Sequence, residues 1–397
     1  MSGESSASRR GLDADRHAAT GFVHVRLHDR AAAPAISAWI IAACFLGFVT
    51  IWTLYGTIAD TGMALPGDVV EAYSWGREFQ LGYNQHPPFW AWAAGLWFLV
   101  FPNQSWAFRL LAVINSAIGL LGCWHLIGLF ARGWERLAAW VLLLLTPFYT
   151  FLCYKYNANS IFLSIWPWTL YFLLTSIETR KPSHAVWLGI MLAAGLLSKY
   201  YAITLDLTCL AASLIHPAAR AYYRSICPYL SAAVCAVLIA PHVLWLLDDN
   251  APPVMYIWGH TGIGMGAALV FALRFVASVA LFHVLVLLIV LTAMLPAGRP
   301  RLDLRMLVRN RVLTVLVMTP VILTVLFGLL FELKISSNMT IGVFPLLPLL
   351  AMRLVPGVQP DASFRRAAWV LGCIIVVVLL ASPAVAYVTF ATSNEPE

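Results

Sequence analysis

Apolar runs of roughly 20 residues recur along this chain from residue 36 to residue 390, and that recurrence limits its fold more than any other feature. At 1.5 Å per helical residue, each run is long enough to cross a hydrocarbon layer of roughly 30 Å. The runs are continuous, whereas a membrane-spanning barrel would alternate apolar and polar positions. A large soluble core does not account for them either: 61% of the residues are hydrophobic and 11% charged, against about 45–50% and 25% in soluble domains. The expected fold is an all-α integral membrane bundle of about eleven transmembrane helices. Spans are read at about 36–57, 106–130, 137–152, 161–177, 185–199, 200–216, 228–247, 274–294, 312–331, 339–355 and 367–390. Residues 36–390 then form one domain, preceded by a disordered cytoplasmic tail over 1–35 and followed by a short external tail over 391–397.

The net charge of +7 could suggest nucleic acid, but its placement points to the membrane. Most Lys and Arg lie in short segments between apolar runs, where they orient a polytopic protein. Residues 185–216 could be one tilted helix or two short ones. A tight hairpin at Ser198–Tyr201 keeps Arg220, Arg224 and the arginines of 299–311 on the cytoplasmic side, and the charge rule favours it. All but six of the 25 basic residues then fall inside. The six are Arg77, Arg109, Lys155, Lys199, Arg274 and Lys334, at external ends of spans or in external loops. Topology does not require them there, so they are candidates for holding an anion. For Arg109 and Arg274, snorkelling to headgroups is an equal alternative.

The seven cysteines (44, 123, 153, 209, 227, 235 and 373) are scattered, mostly inside apolar spans, without a CxxC and read as small buried apolar residues, not as a disulfide or zinc framework. The polar start followed by a long first span predicts an anchor and no cleavable signal.

The first external loop, 58–105, contains PGDVVEAYSWGREFQLGYNQHPPFWAW over residues 66–92. Pro66–Gly67 makes a turn, Asp68 to Leu81 suits an amphipathic helix stopped by Gly82, and Asp68, Glu71 and Trp75 share one face. Two carboxylates on a helix at the membrane surface can meet substrate from either phase. The plainer reading, equally weighted, is that Asp68 caps the helix. After His86–Pro87–Pro88 a second apolar helix, 88–100, carries Phe89, Trp90, Trp92, Trp97 and Phe98, which resemble an interfacial aromatic belt.

The pattern D-x-x-E-A-Y-x-W…L-G-Y-x-x-H-P-P-x-x-x-W resembles the first external loop of bacterial glycosyltransferases with the polytopic GT-C fold. Their branch includes protein O-mannosyltransferases, the lipid A aminoarabinose transferase and related lipopolysaccharide glycosyltransferases. TPFYTFLCYKYNANSIFLSIWPW (146–168), GLLSKYYAITL (195–205) and APHVLWLLDDNAPPVMY (240–256) agree in order and side, so the resemblance covers roughly residues 36–260. It implies inverting transfer of a hexose or pentose from a polyprenyl-phosphate donor to an acceptor outside the cytoplasm. That acceptor could be lipid A or lipopolysaccharide, another lipid or a protein. It further implies a multi-pass protein of the bacterial inner membrane, with its N-terminus cytoplasmic and its site periplasmic. Asp68 matches the family's first-loop acid and would act as base with Glu71 beside it. Lys199 matches the SK-Y element, and Lys155, Arg77 and Lys334 are further partners suited to the donor phosphate. Tyr73, Tyr83, His86, Asn157, Asn159, Tyr200, Tyr201, His242, Asp248 and Asp249 are candidates for substrate contact. No cofactor is required, although a divalent ion on Asp68 and Glu71 is compatible with the pattern.

One departure bears on activity. Many relatives carry an acidic residue at the head of the fourth span, where this chain has Asn157-Ala158-Asn159. Amides bind hydroxyls or cap helices but cannot act as a base. His242 reads first as a satisfied structural histidine, and His260 is undecided. Two other classes stay open: a transporter or flippase of lipid-linked sugars, which should show internal repeats or paired broken helices, and a non-catalytic relative that binds lipid carriers.

Overall fold

The computed structural model describes residues 38–59, 67–248, 252–292 and 302–393, and among these every regular element is a helix. The helices are α1 (Ala38–Ala59), α2 (Gly67–Glu78), α3 (Phe89–Phe98), α4 (Ser105–Ile127), α5 (Gly133–Leu143), α6 (Phe162–Thr179), α7 (Pro182–Leu196), α8 (Ile203–Ile215) and α9 (Ala219–Tyr223). They continue as α10 (Cys227–Asp248), α11 (Pro252–Trp258), α12 (Met265–Phe282), α13 (Val284–Thr292), α14 (Arg305–Arg309), α15 (Arg311–Leu330), α16 (Leu347–Leu354) and α17 (Pro360–Ser393). The expected cytoplasmic tail, the end of the external tail and Asp249 lie outside the described residues. Six helices, α1, α4, α10, α12, α15 and α17, are each long and apolar enough to cross a membrane unaided. They are the part of the expected set that length and composition alone establish, and they make this a multi-pass membrane protein.

The hairpin at Ser198–Tyr201 is present. Helix α7 stops at Leu196, Lys199 is extended (φ −162°, ψ 137°), and a turn at Tyr200–Ala202 leads into α8. Two contacts give the direction. At one end, Lys199 before α8 reaches Asn159 before α6. At the other, His216 after α8 lies 3.2 Å from Glu178 in the last turn of α6. Helices α6 and α8 therefore run the same way, and α7 returns between them.

The core forms around α4, α6 and the α5–α6 connection, with Trp166, Phe162, Phe130 and Leu142 fully buried. Lipid offers little hydrophobic drive for helix pairing, so close backbone approach at small residues matters more. A Cβ on Gly119 of α4 would lie 2.0 Å from the Leu163 carbonyl oxygen of α6, so only glycine permits this crossing. At the end opposite Lys199, Arg353 holds three segments together. Its Nε donates to Glu135 Oε1 (2.9 Å), Nη1 to Asn310 Oδ1 (2.7 Å) and Nη2 to the Phe130 carbonyl (2.6 Å).

Several boundaries differ from the sequence reading. The span expected over 137–152 is α5 followed by a 3-10 turn at Pro147–Tyr149. The span expected over 274–294 starts nine residues earlier and breaks at His283; the uninterrupted apolar run marks neither point in the sequence. Residues 339–355 fold as a 3-10 turn, a stretch with Gly342 at φ 79°, and the short α16. The first loop helix ends at Glu78, where Phe79 turns left-handed at φ 49°, and not at Gly82. All seven cysteines are free, but Cys44 and Cys373 are exposed, not buried.

Candidate active site

The first loop folds into a helical pair, α2 and α3, joined by an extended turn. Backbone meets backbone where they cross: a Cβ on Gly95 would lie 2.0 Å from the Gly76 carbonyl oxygen. Ala72, Ala91 and Ala94 fill the rest of this seam. The turn is locked from within by Tyr83, whose ring stacks on Trp75 (4.7 Å between centroids) and whose hydroxyl donates to the Trp75 carbonyl. Trp90, expected in an interfacial belt, is instead 1% exposed. It packs edge-on to Trp75 and His86 and accepts, at its carbonyl, a 2.8 Å bond from the Tyr156 hydroxyl.

Four further contacts fasten this pair to the end of the bundle where α7 turns into α8. The Phe89 N–H donates to the Leu197 carbonyl (2.7 Å), and Trp97 Nε1 donates to the Ala107 carbonyl (3.0 Å). The Trp245 ring of α10 covers Gly82 so closely that a Cβ there would meet it at 2.1 Å. His242, one turn before Trp245, is 4% exposed. Its Nδ1 lies 2.7 Å from the Leu81 carbonyl and its Nε2 lies 2.8 Å from the Tyr200 hydroxyl. A carbonyl can only accept, so Nδ1 carries the proton and Nε2 accepts from Tyr200. Both ring nitrogens are used, in keeping with the structural reading of this residue.

The docked pair places Asp68 against the segment 157–160. Asn157 Nδ2 donates to Asp68 Oδ2 at 2.9 Å. Asn157 Oδ1 accepts from the N–H groups of Asn159 and Ser160, both at 2.9 Å. Asn159 Oδ1 accepts from Lys199 Nζ at 2.7 Å. One tripeptide, Asn157-Ala158-Asn159, thus holds a carboxylate on one side and an ammonium on the other, and the two charges are close enough to attract. Asp68 is exposed.

Glu71, one turn along α2, is partly buried, and burial together with the Asp68 charge pushes its carboxyl pKa up. His86 is pushed down to about 4, first by burial and then by the nearby Lys199 charge. It is therefore neutral near pH 7.

The other expected residues fall into two groups. Tyr200 and Tyr201 stand beside Lys199, the first bonded to His242 and the second to Thr324 Oγ1 at 2.8 Å. Tyr73 lies edge-on to Phe98 and Phe108 with Arg77 over its ring at 5.8 Å. Lys155 and Lys334 are exposed, and Lys334 lies against Phe271 (5.9 Å). Among the described residues, no hydrogen bond or ion pair joins either lysine to Asp68 or Asn159. Arg109 does not snorkel: it is 2% exposed and lies 5.3 Å from the Tyr154 ring centroid. His260 is exposed, with Nδ1 bonded to the Tyr256 carbonyl. Asp248 ends α10. Among the described residues, no three His, Cys, Asp or Glu side chains gather as a metal site. Leu81, Ser160 and Trp245 carry the site's supporting contacts and have no signal in local sequence.

Residues 85–245 match the family model for dolichyl-phosphate-mannose-protein mannosyltransferase. The fold resembles the crystal structure of ArnT from Cupriavidus metallidurans in the apo state, with a TM-score of 0.60 at 15% identity, over 90% of this chain and 75% of that one. It also resembles the same protein bound to undecaprenyl phosphate, with a TM-score of 0.58 at 16% identity over the same shares. No curated protein matches at the sequence level. The family-model match covers the middle of the chain, and the likeness to the two crystal structures shows that the chain shares their fold. The matched segment contains His86, the 157–160 turn, Lys199 and His242, and begins just after the helix that carries Asp68.

Proposed function

We propose that this protein is an inverting glycosyltransferase that moves a sugar from a polyprenyl-phosphate donor to an acceptor hydroxyl outside the cytoplasm. The observation that carries the reading is the juxtaposition of Asp68 and Lys199 across Asn157 and Asn159. Inverting transfer needs a base on one face of the anomeric carbon and a cation for the group leaving from the other. Asp68 takes the acceptor's O–H proton as the acceptor oxygen bonds to the anomeric carbon. The carbon–oxygen bond to phosphate breaks, and the phosphate departs with the electron pair. Lys199 stabilises that growing negative charge, and no proton donor is required because phosphate is already a good leaving group. Glu71, with its raised pKa, has an environment distinct from that of exposed Asp68, and the base role goes to Asp68.

The undecaprenyl phosphate bound by ArnT supports a donor of the same lipid class here. The reading places the chain in the bacterial inner membrane with the site on the periplasmic side. The acceptor is a lipid A or other envelope glycolipid hydroxyl, or a protein hydroxyl. Comparative mass spectrometry of envelope lipids, glycans and proteins with and without this protein tests the reading. The expected result is one sugar-sized mass difference on one acceptor class. Unchanged envelopes, with no sugar transfer by the purified protein, would favour a carrier-binding or transport role.

A further inference from the structure

At the head of α6, Asn157 presents an amide whose two ends are both committed. Its oxygen faces two backbone N–H groups, those of Asn159 and Ser160. Its nitrogen therefore faces Asp68, and the amide cannot turn over without placing its N–H groups against backbone donors. The turn is braced further. The Asn157 N–H donates to Ser160 Oγ (2.8 Å), and that hydroxyl donates back to the Asn157 carbonyl (3.1 Å). Asn115 Nδ2 on α4 donates to the Ser160 carbonyl (2.8 Å). Asp68 sits on a helix from a separate loop, so this one bond crosses from the bundle to the base.

We propose that Asn157 is a positioning residue that orients Asp68 and leaves it as a single carboxylate, not half of an acid pair. The inference rests on the sugar-transfer reading for its consequence and on the hydrogen-bond network for its geometry. An amide N–H donated to Oδ2 fixes the plane of the carboxylate. Among the described residues Oδ1 accepts no hydrogen bond, which leaves it for the acceptor hydroxyl. An acid at position 157 would place two carboxylates within hydrogen-bond distance, and such a pair shares a proton. Among the described residues, Glu71 on its own helix and Lys199 at the head of α8 feel the Asp68 charge.

The test separates orientation from capping. Asn157→Asp keeps the cap, since Asp accepts from the same two N–H groups as well as Asn does, but it replaces the donor to Asp68 with a second acid. The transfer-rate profile of this variant should have its acid limb moved to higher pH by about one unit or more, with thermal stability near that of the original protein. Asn157→Ser keeps a cap, but its hydroxyl is too short to replace the amide nitrogen as donor to Asp68. It should lower kcat by about 10- to 100-fold while donor KM stays unchanged. A pH profile of N157D that superimposes on the original, or an N157S effect confined to melting temperature or donor KM, would overturn the positioning role. Should the purified protein transfer no sugar, the transfer reading fails, but infrared titration of the carboxyl band with Asp68→Asn as blank still decides the geometry. The Asp68 band must titrate at higher pH in N157D than in the original chain, and identical titrations sink the proposal.

Discussion

Lys199 is held by an amide and not by a carboxylate: its Nζ donates to Asn159 Oδ1 at 2.7 Å. A carboxylate there would neutralise the lysine and compete with any phosphate for it. The amide satisfies one of the three ammonium donors and leaves the charge to act on a ligand. Asn159→Asp should therefore weaken apparent donor affinity, by about tenfold if one charge-assisted contact is lost. Donor titration at fixed acceptor reads this, and an unchanged or tighter KM would argue against Lys199 at the phosphate.

Lys199→Ala should be more severe, because it removes the cation itself. A hydrogen bond to a charged group contributes about 1.5–3 kcal/mol, which corresponds to roughly 10- to 100-fold in donor affinity. Binding of a polyprenyl phosphate to the purified protein measures this without requiring turnover. The loss should shrink as salt is raised, as expected of a partly exposed electrostatic contact.

The α2–α3 seam gives a prediction about stability. Gly95→Ala puts a methyl group 2.0 Å from the Gly76 carbonyl oxygen, so the helices must separate. Overpacking of this kind costs about 1–3 kcal/mol, and it should carry Asp68 away from Asn157. Gly67→Ala, with nothing within 4 Å of the new atom, is the matched control. Thermal unfolding in detergent together with transfer rate should show both quantities falling in the first variant and neither in the second.

His86 makes stability depend on pH in a defined direction. Its pKa is about 4 in the folded protein against an ordinary 6.5, so between those values the unfolded chain binds more protons. The stabilisation it brings is fully present above about pH 6.5 and is lost as pH falls toward 4. Replacing it with Gln should flatten that part of the melting-temperature profile. An equally steep decline in the His86→Gln variant would show that another group titrates there.

Much of this site was legible in the sequence, and the limits of that legibility have physical causes. Asp68, Glu71 and Lys199 stood out because charge at membrane depth is costly and because they sit in recognisable patterns. The hairpin before Lys199 followed from the charge rule. The partners of these groups did not show. Nothing local marks Trp245 as the cover of Gly82 or the Leu81 carbonyl as the acceptor for His242, since those contacts join residues more than 150 positions apart. Asn157 and Asn159 were visible as residue types suited to capping or to polar contact, and the folded chain uses them for both. Trp90 misled because an aromatic cluster after Pro-Pro looks the same in sequence whether it meets lipid headgroups or packs under a helix. The break at His283 was hidden by an uninterrupted apolar run on both sides of it.

The most direct test of the account is sugar transfer by the purified protein and its Asp68→Asn variant, in vesicles supplied with a polyprenyl-phosphate sugar and envelope acceptors. Asn at position 68 keeps the size of the side chain but cannot take the acceptor's proton. The account predicts a folded variant, with donor binding close to that of the original, whose transfer rate falls by about 10²- to 10⁴-fold. Transfer by the variant at the original rate would contradict it, since the base would then lie elsewhere.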